Sequence, residues 1–216
     1  MAKFKNKYRI ESNRKPNWDY SSNGLYFLTF VTQNRKCNLG KIIDKKMILS
    51  DFGKIVDDQW LKSFEIRNEL FLDEYQIMPN HIHAIVEIRK PPSFHLETHG
   101  RASHLNIDET SQDVSKVETS QDVSMIKRNP AVRLPKSISS FMGGFKSAVN
   151  TEIDNYIDEN GMFMIKFNKH NHFFQPNYHD HIIRNHDEYI KIKKYIQHNP
   201  MNWTNDSLNK KDKQPL

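Results

Sequence analysis

The strongest constraint on this chain is the order in which its apolar periodicity changes along the sequence. Gly24 to Gln33 (GLYFLTFVTQ) is dense in β-branched and aromatic residues and apolar on both faces, which predicts a strand in the middle of a sheet. Ser50-Asp51 has the character of a helix start, and Phe52, Ile55, Val56, Trp60 and Phe64 then recur at helical spacing. Phe71 to Met78 and His81 to Ile88 read as two further strands, separated by the turn signal Pro79-Asn80. Ile138, Phe141, Met142, Phe145, Val149, Ile153 and Ile157 form one stripe on a long helix that ends near Asn160-Gly161. Phe163 to Phe174 carries aromatic bulk and is expected to be extended. His186 to Asn199 predicts a last helix, stopped because Pro200 disfavours the α conformation in the residue before it. Strand, helix, strand, strand, helix, strand, helix is an α+β order. It specifies a ferredoxin-like antiparallel sheet (βαββαβ) with helices on one face, and an extra C-terminal helix free to cover the other.

The chain has 216 residues, enough for one domain interrupted by an insertion. Residues 1–20 form a basic arm, 21–203 the single domain, and 204–216 a polar tail expected to be loose. The insertion spans about 90–133. It opens with Pro91-Pro92 and contains a tandem duplication, ETSQDVSKV then ETSQDVSMI, from Glu109 to Ile126. Within it, the hydroxyl-rich, acidic stretch 107–124 has no aromatics and is expected to be disordered, and no chemistry is assigned to the insertion. No run approaches the roughly 20 apolar residues of a membrane span, and the N-terminus lacks the apolar segment of a secretory signal. The single cysteine, Cys37, excludes an internal disulfide and a cysteine-rich zinc site. A reducing cytoplasm, in association with the nucleoid, is the expected location.

Net charge is +6 and the pI about 9.2, which is compatible with nucleic acid without requiring it. The distribution is more informative. Lys3, Lys5, Lys7 and Arg9, followed by Arg14 and Lys15, alternate with Phe4, Tyr8, Trp18 and Tyr20. Such an arm can hold phosphates and stack on bases, and it reads equally well as a disordered tail.

Two short patterns carry chemistry. His81-Ile82-His83 lies on the third strand, where residues two apart point to the same side. Both imidazoles therefore project away from the Ile82, Ala84, Val86, Ile88 face and can converge on one divalent ion. The plain alternative is two hydrogen-bonded histidines on a sheet face. In Tyr195-Ile-Gln-His-Asn-Pro200, Tyr195 and Asn199 are four apart and share one helix face. Here the plain alternative is a packing tyrosine and a helix cap. Together the patterns gain force. Two neutral imidazoles and an amide oxygen make a three-ligand site with open positions, and a neighbouring phenol is a nucleophile.

The stretch Tyr75-Gln-Ile-Met-Pro-Asn-His-Ile-His-Ala-Ile-Val86 resembles the HUH motif of REP-associated tyrosine transposases, relatives of the smallest insertion-sequence transposases. Phe174-Gln-Pro-Asn-Tyr-His-Asp-His-Ile-Ile-Arg184, followed by Tyr195 to Pro200, resembles that family's C-terminal signature. Gly144-Phe-Lys-Ser147 is similar to its middle helix, and Tyr26 to Gln33 to its first strand. The similarity covers about 20–90 and 134–203. The resemblance implies a single-tyrosine HUH enzyme that cleaves and rejoins single-stranded DNA beside an imperfect hairpin through a 5′-phosphotyrosine. Tyr195 would be the nucleophile, on a catalytic helix. His81, His83 and Asn199 would hold Mg²⁺ or Mn²⁺. Lys146, Gln175, His179, His181 and Arg184 match the signature and are candidate DNA contacts, together with the basic arm. Tyr178 is a rival nucleophile, but Ile182 stands where Tyr195 has Asn199. A domesticated hairpin nuclease, a catalytically silent DNA-binding module and a replication-initiator or relaxase domain are the other readings. Monomer or homodimer, and assembly of the site in cis or in trans, stay open.

Overall fold

The computed structural model describes residues 18–90, 136–168 and 170–209, together with the backbone of two short antiparallel strands, β1 (Lys3–Phe4) and β2 (Lys7–Tyr8). The duplication and nearly all of the 90–133 insertion lie outside the described residues, as do the side chains of Lys3, Lys5, Lys7 and Arg9.

A four-stranded antiparallel sheet carries the molecule, with β3 (Gly24–Val31), β6 (Leu70–Ile77), β7 (His81–Ile88) and β8 (His179–Ile183) in the order β6-β7-β3-β8. Renumbered by chain order within this sheet, the strands run 2-3-1-4, the ferredoxin-like arrangement. Strand β3 pairs on both sides and is central, as its two-sided apolar character predicts. Helices α1 (Asp51–Glu65) and α2 (Ile138–Glu159) cover one face, and α3 (His186–His198) the other.

Alternation decides which residue serves which face. Tyr26, Leu28 and Phe30 of β3 and Ile82, Ala84, Val86 and Ile88 of β7 join Trp60 of α1 and Phe141, Phe145 and Val149 of α2 in the main core. Trp60 is its hub, with ring centroids 5.1–5.3 Å from Phe30, Phe64, Phe141 and Phe145. Ser50 caps α1 by accepting from the Gly53 N–H at 3.0 Å. Gly53 must be glycine, because a Cβ there would stand 2.0 Å from the Leu39 carbonyl oxygen. Ser137 and Ser140 form a reciprocal capping box on α2.

On the α3 face the apolar contact is thin. Ile85, Ile183 and Ile196 are buried there, flanked by Leu25, Phe27, Tyr189 and Ile192. Polar contacts complete the attachment. A β-bulge leaves Asp73 as an extra residue between Leu72 and Glu74. Asp73 accepts from Lys193 Nζ at 3.1 Å and Tyr189 Oη at 3.2 Å, and Glu74 accepts from Gln197 at 2.7 Å.

Four features differ from what the sequence predicts. The fourth strand is His179–Ile183, not Phe163–Phe174. Among the described residues only a single bridge, Thr32 to Phe174, forms there, and Phe173 and Phe174 are both buried in the main core without a strand ladder. An unexpected hairpin, β4 (Gly40–Ile43) and β5 (Lys46–Leu49), precedes α1. Its turn residues Asp44 and Lys45 both have positive φ, without the glycine that usually signals such a turn. Third, the tail expected to be loose is folded through Asn209, in two 3₁₀ turns, Pro200–Asn205 and Ser207–Asn209. At the other end, Tyr20 is part of the core and Trp18 donates to the Tyr26 hydroxyl at 3.3 Å, so both belong to the domain and not to the arm.

Candidate active site

The register places His83 opposite Thr29 and His81 opposite Val31, on the sheet face under α3. Their rings are 4.5 Å apart between centroids. Both histidines are almost completely buried, and burial pushes each imidazole down to about 3, with each ring therefore neutral at physiological pH.

Neighbours orient both rings. The Asn80 amide donates from Nδ2 to the carbonyls of Arg35 (3.1 Å) and Leu208 (2.9 Å), which turns its Oδ1 towards His81 Nδ1 at 2.8 Å. A carbonyl-type oxygen requires a proton on Nδ1, so Nε2 carries the bare lone pair. That atom is buried without a hydrogen-bond partner among the described residues. His83 Nδ1 lies 2.8 Å from Thr29 Oγ1, and its Nε2 faces the Tyr195 hydroxyl at 3.1 Å.

Tyr195 arrives from α3, with its ring edge-on to Phe27 and against His83 at 5.1 Å. Tyr195 remains half exposed (49%). Burial raises the phenol above its ordinary range, the charge of Asp206 adds to this, and a hydrogen bond with the Asn199 side chain opposes both. Asn199 ends α3 and opens the next turn, and its buried Oδ1 has no hydrogen-bond partner among the described residues.

The residue that sequence reasoning missed is Asp206. The 3₁₀ turns bring its carboxylate to 3.7 Å from His81 Nε2, with only 5% of the side chain exposed. His81, His83 and Asp206 each offer a ligand atom within 4.8 Å of the others. His81 Nε2 and Asn199 Oδ1 are buried acceptors without donors among the described residues, the kind of group a divalent cation satisfies. The donor set carries one negative charge, in contrast to the neutral set expected from two imidazoles and an amide.

The remaining candidates divide. His179 lies on β8 opposite Thr29, close enough for its charge to act on His83. His181 pairs with Glu188 at 2.7 Å, and Glu188 also accepts from the Arg184 backbone N–H, so these residues fix the entry to α3. Lys146 donates to the Gln175 carbonyl at 2.6 Å and lies over the Tyr178 ring at 5.9 Å. Tyr178 packs against the main core, on the opposite face from the histidines.

Neutral burial of two histidines has a consequence for stability. Their folded values lie below the ordinary 6.5, so the unfolded chain takes up protons first as pH falls. Stability contributed by these groups is full above pH ~6.5 and declines towards pH ~3. In chelator, urea unfolding at pH 5 is expected to show a loss of roughly 2 kcal/mol per histidine relative to pH 7.5, at about 1.4 kcal/mol per pH unit. An unchanged midpoint would contradict neutral burial.

The fold and this centre define the class: an α+β protein with a ferredoxin-like sheet, carrying a buried His–His–Asp cluster beside a half-exposed tyrosine. The chain belongs to the family of a Haemophilus influenzae protein described as uncharacterized, with which it is 30% identical over 199 residues, 91% of each chain. No protein-family model matches the sequence. Among solved structures, that of a REP-associated tyrosine transposase bound to a REP hairpin aligns with a TM-score of 0.46 at 15% identity, covering 94% of this chain and 74% of that one. Among the described residues, no helix is long and apolar enough to cross a membrane.

Proposed function

We propose that this chain is a single-tyrosine HUH nuclease and strand transferase of the transposase type, acting on single-stranded DNA next to a hairpin. One observation carries the reading: the Tyr195 hydroxyl stands 3.1 Å from His83 Nε2, beside a buried cluster in which His81 Nε2 and Asn199 Oδ1 have no hydrogen-bond partner among the described residues. His81, His83 and Asp206, joined by Asn199, are the residues that would hold the cation. Imidazole together with carboxylate and amide oxygen suits Mn²⁺, with Mg²⁺ as the alternative. When bound, the ion supplies Lewis-acid polarisation of a phosphodiester oxygen.

The chain's own residues perform the transfer. Tyr195 Oη attacks phosphorus; the Oη–P bond forms and the P–O3′ bond breaks. The phenolic proton leaves through the solvent-exposed side of the ring, and the departing 3′ oxygen takes up a proton to become a 3′-hydroxyl. A second 3′-hydroxyl reverses the step and joins new ends without a nucleotide cofactor. Thr29 and Asn80 keep the imidazoles oriented, and Phe27 limits the swing of the tyrosine ring. Asp73 and Glu74 hold α3 on its own sheet, which supports assembly of the site within one chain.

The test is incubation with end-labelled single-stranded hairpin DNA. Cleavage is expected with Mn²⁺ and none in EDTA. Equal cleavage in EDTA, or no cleavage of any single strand with Mn²⁺ or Mg²⁺, would sink the reading.

A further inference from the structure

Helix α3 carries Tyr195 and three lysines, and its surroundings use the lysines differently. Lys193 donates to Asp73 at 3.1 Å and to the Tyr189 hydroxyl at 2.9 Å. Lys191 and Lys194 are exposed and form no ion pair among the described residues. Two basic residues of the sequence signature are engaged within the protein as Lys193 is, Lys146 by the Gln175 carbonyl and His181 by Glu188.

Helical rotation, about 100° per residue, sorts these charges by edge. Measured from Tyr195, Ile192 and Ile196 lie about 60° and 100° to one side, over the sheet. Lys191, His198 and Lys194 lie about 40°, 60° and 100° to the other side, towards solvent. Lys193 and Gln197 are about 160° away, on the far edge, where Asp73 and Glu74 of β6 hold them. The two β6 carboxylates are thus kept off the edge that bears the nucleophile. From Tyr189 to Asn205 the chain itself has no carboxylate. Glu188 is engaged by His181 and the Arg184 N–H, and Asp187 stands in the first turn, about 12 Å along the axis from Tyr195.

Along the axis this ridge straddles the nucleophile. Lys191 is about 6 Å before Tyr195 and His198 about 4.5 Å after it, at roughly 1.5 Å per residue. Residues three and four apart are surface neighbours, so both stand next to the tyrosine. His198 is the one basic residue of the last turn, where the helix dipole favours positive charge. Lys191 and Lys194 lie earlier in the helix, so the dipole does not account for them. Two lysines without a carboxylate partner, on the edge that carries a half-exposed tyrosine, are suited to the phosphates of a strand laid across that tyrosine.

We propose that Lys191 and Lys194 hold backbone phosphates next to the scissile one and so position the single strand over Tyr195. The contact is with phosphate and not with base, so it carries charge without sequence preference. The proposal rests on the single-strand reading above, and binding measured without cleavage separates the two. The full-length protein, in EDTA, is titrated with a labelled oligothymidylate at several salt concentrations, read by fluorescence anisotropy. A homopolymer without a hairpin isolates the single-strand backbone. Each phosphate neutralised contributes about 0.7 to the slope of log K against log salt. Lys191→Gln with Lys194→Gln is expected to lower that slope by about 1.4, and Lys191→Arg with Lys194→Arg to keep it. Lys54→Gln with Lys62→Gln, on α1 across the sheet, removes the same net charge and should leave the slope unchanged. Should the α3 glutamine pair fail to fold, each single change is expected to lower the slope by about 0.7. A full slope in the α3 glutamine variants, or an equal drop in the α1 pair, overturns the phosphate ridge and leaves the nuclease reading standing. A wild-type protein that binds no single strand, in EDTA or with Mn²⁺, overturns both.

Discussion

Tyr195→Phe is expected to abolish the covalent protein–DNA adduct while leaving the protein folded and able to bind a single strand. Phenylalanine keeps the ring contacts with Phe27 and His83 and removes only the hydroxyl. The rate should fall roughly 10⁴-fold or more, the scale of losing a covalent nucleophile. Stability should change little, because one half-exposed hydrogen bond contributes only about 1 kcal/mol. Tyr178→Phe serves as the control and should retain the adduct, since that ring packs on the far side of the sheet. An adduct undiminished in Tyr195→Phe would remove Tyr195 from the chemistry.

His81→Ala carries the second large effect. It deletes a buried nitrogen whose lone pair is bare and whose orientation Asn80 enforces. Mn²⁺ binding, followed by calorimetry, is expected to weaken about 100-fold or more, and cleavage to disappear with it. Asp206→Asn keeps the volume of the side chain and removes its charge, so it should lose affinity without the packing defect. Asn80→Ala touches only the support of the ligand and should cost about 10- to 100-fold. Wild-type affinity in all three variants would place the cation elsewhere.

Much of this arrangement is legible in the residues themselves, for identifiable reasons. Ile82, Ala84, Val86 and Ile88 keep one face of His81–Ile88 apolar, and the structure has a strand over those same residues, with both imidazoles on the other side. Ser50 punctuates its helix as local stereochemistry dictates. Asn199, by contrast, keeps an α conformation before Pro200, and the chain runs straight on into a 3₁₀ turn, so the proline changes the helix type without forcing the residue before it out of the α region. Errors arose where long-range packing overrides local pattern. Phe173 and Phe174 look like strand residues, yet they are plugs driven side by side into the core. The Asp44-Lys45 turn hides because its left-handed residues are not glycine. Asp206 is an acid in a polar tail, seven residues beyond Asn199, and no local pattern there marks it as a ligand. Its role follows only from two 3₁₀ turns that fold the chain back over His81. Asn80 is visible in sequence as a turn residue, while its grip on the imidazole depends on carbonyls at Arg35 and Leu208, far along the chain in opposite directions.

The most direct measurement is mass-spectrometric mapping of the adduct formed between the wild-type protein, Mn²⁺ and a single-stranded hairpin substrate. The expected result is a nucleotide esterified to the hydroxyl of Tyr195, carried by the peptide that ends α3. A nucleotide on any other residue, or cleavage that leaves no protein-linked strand, would contradict the account.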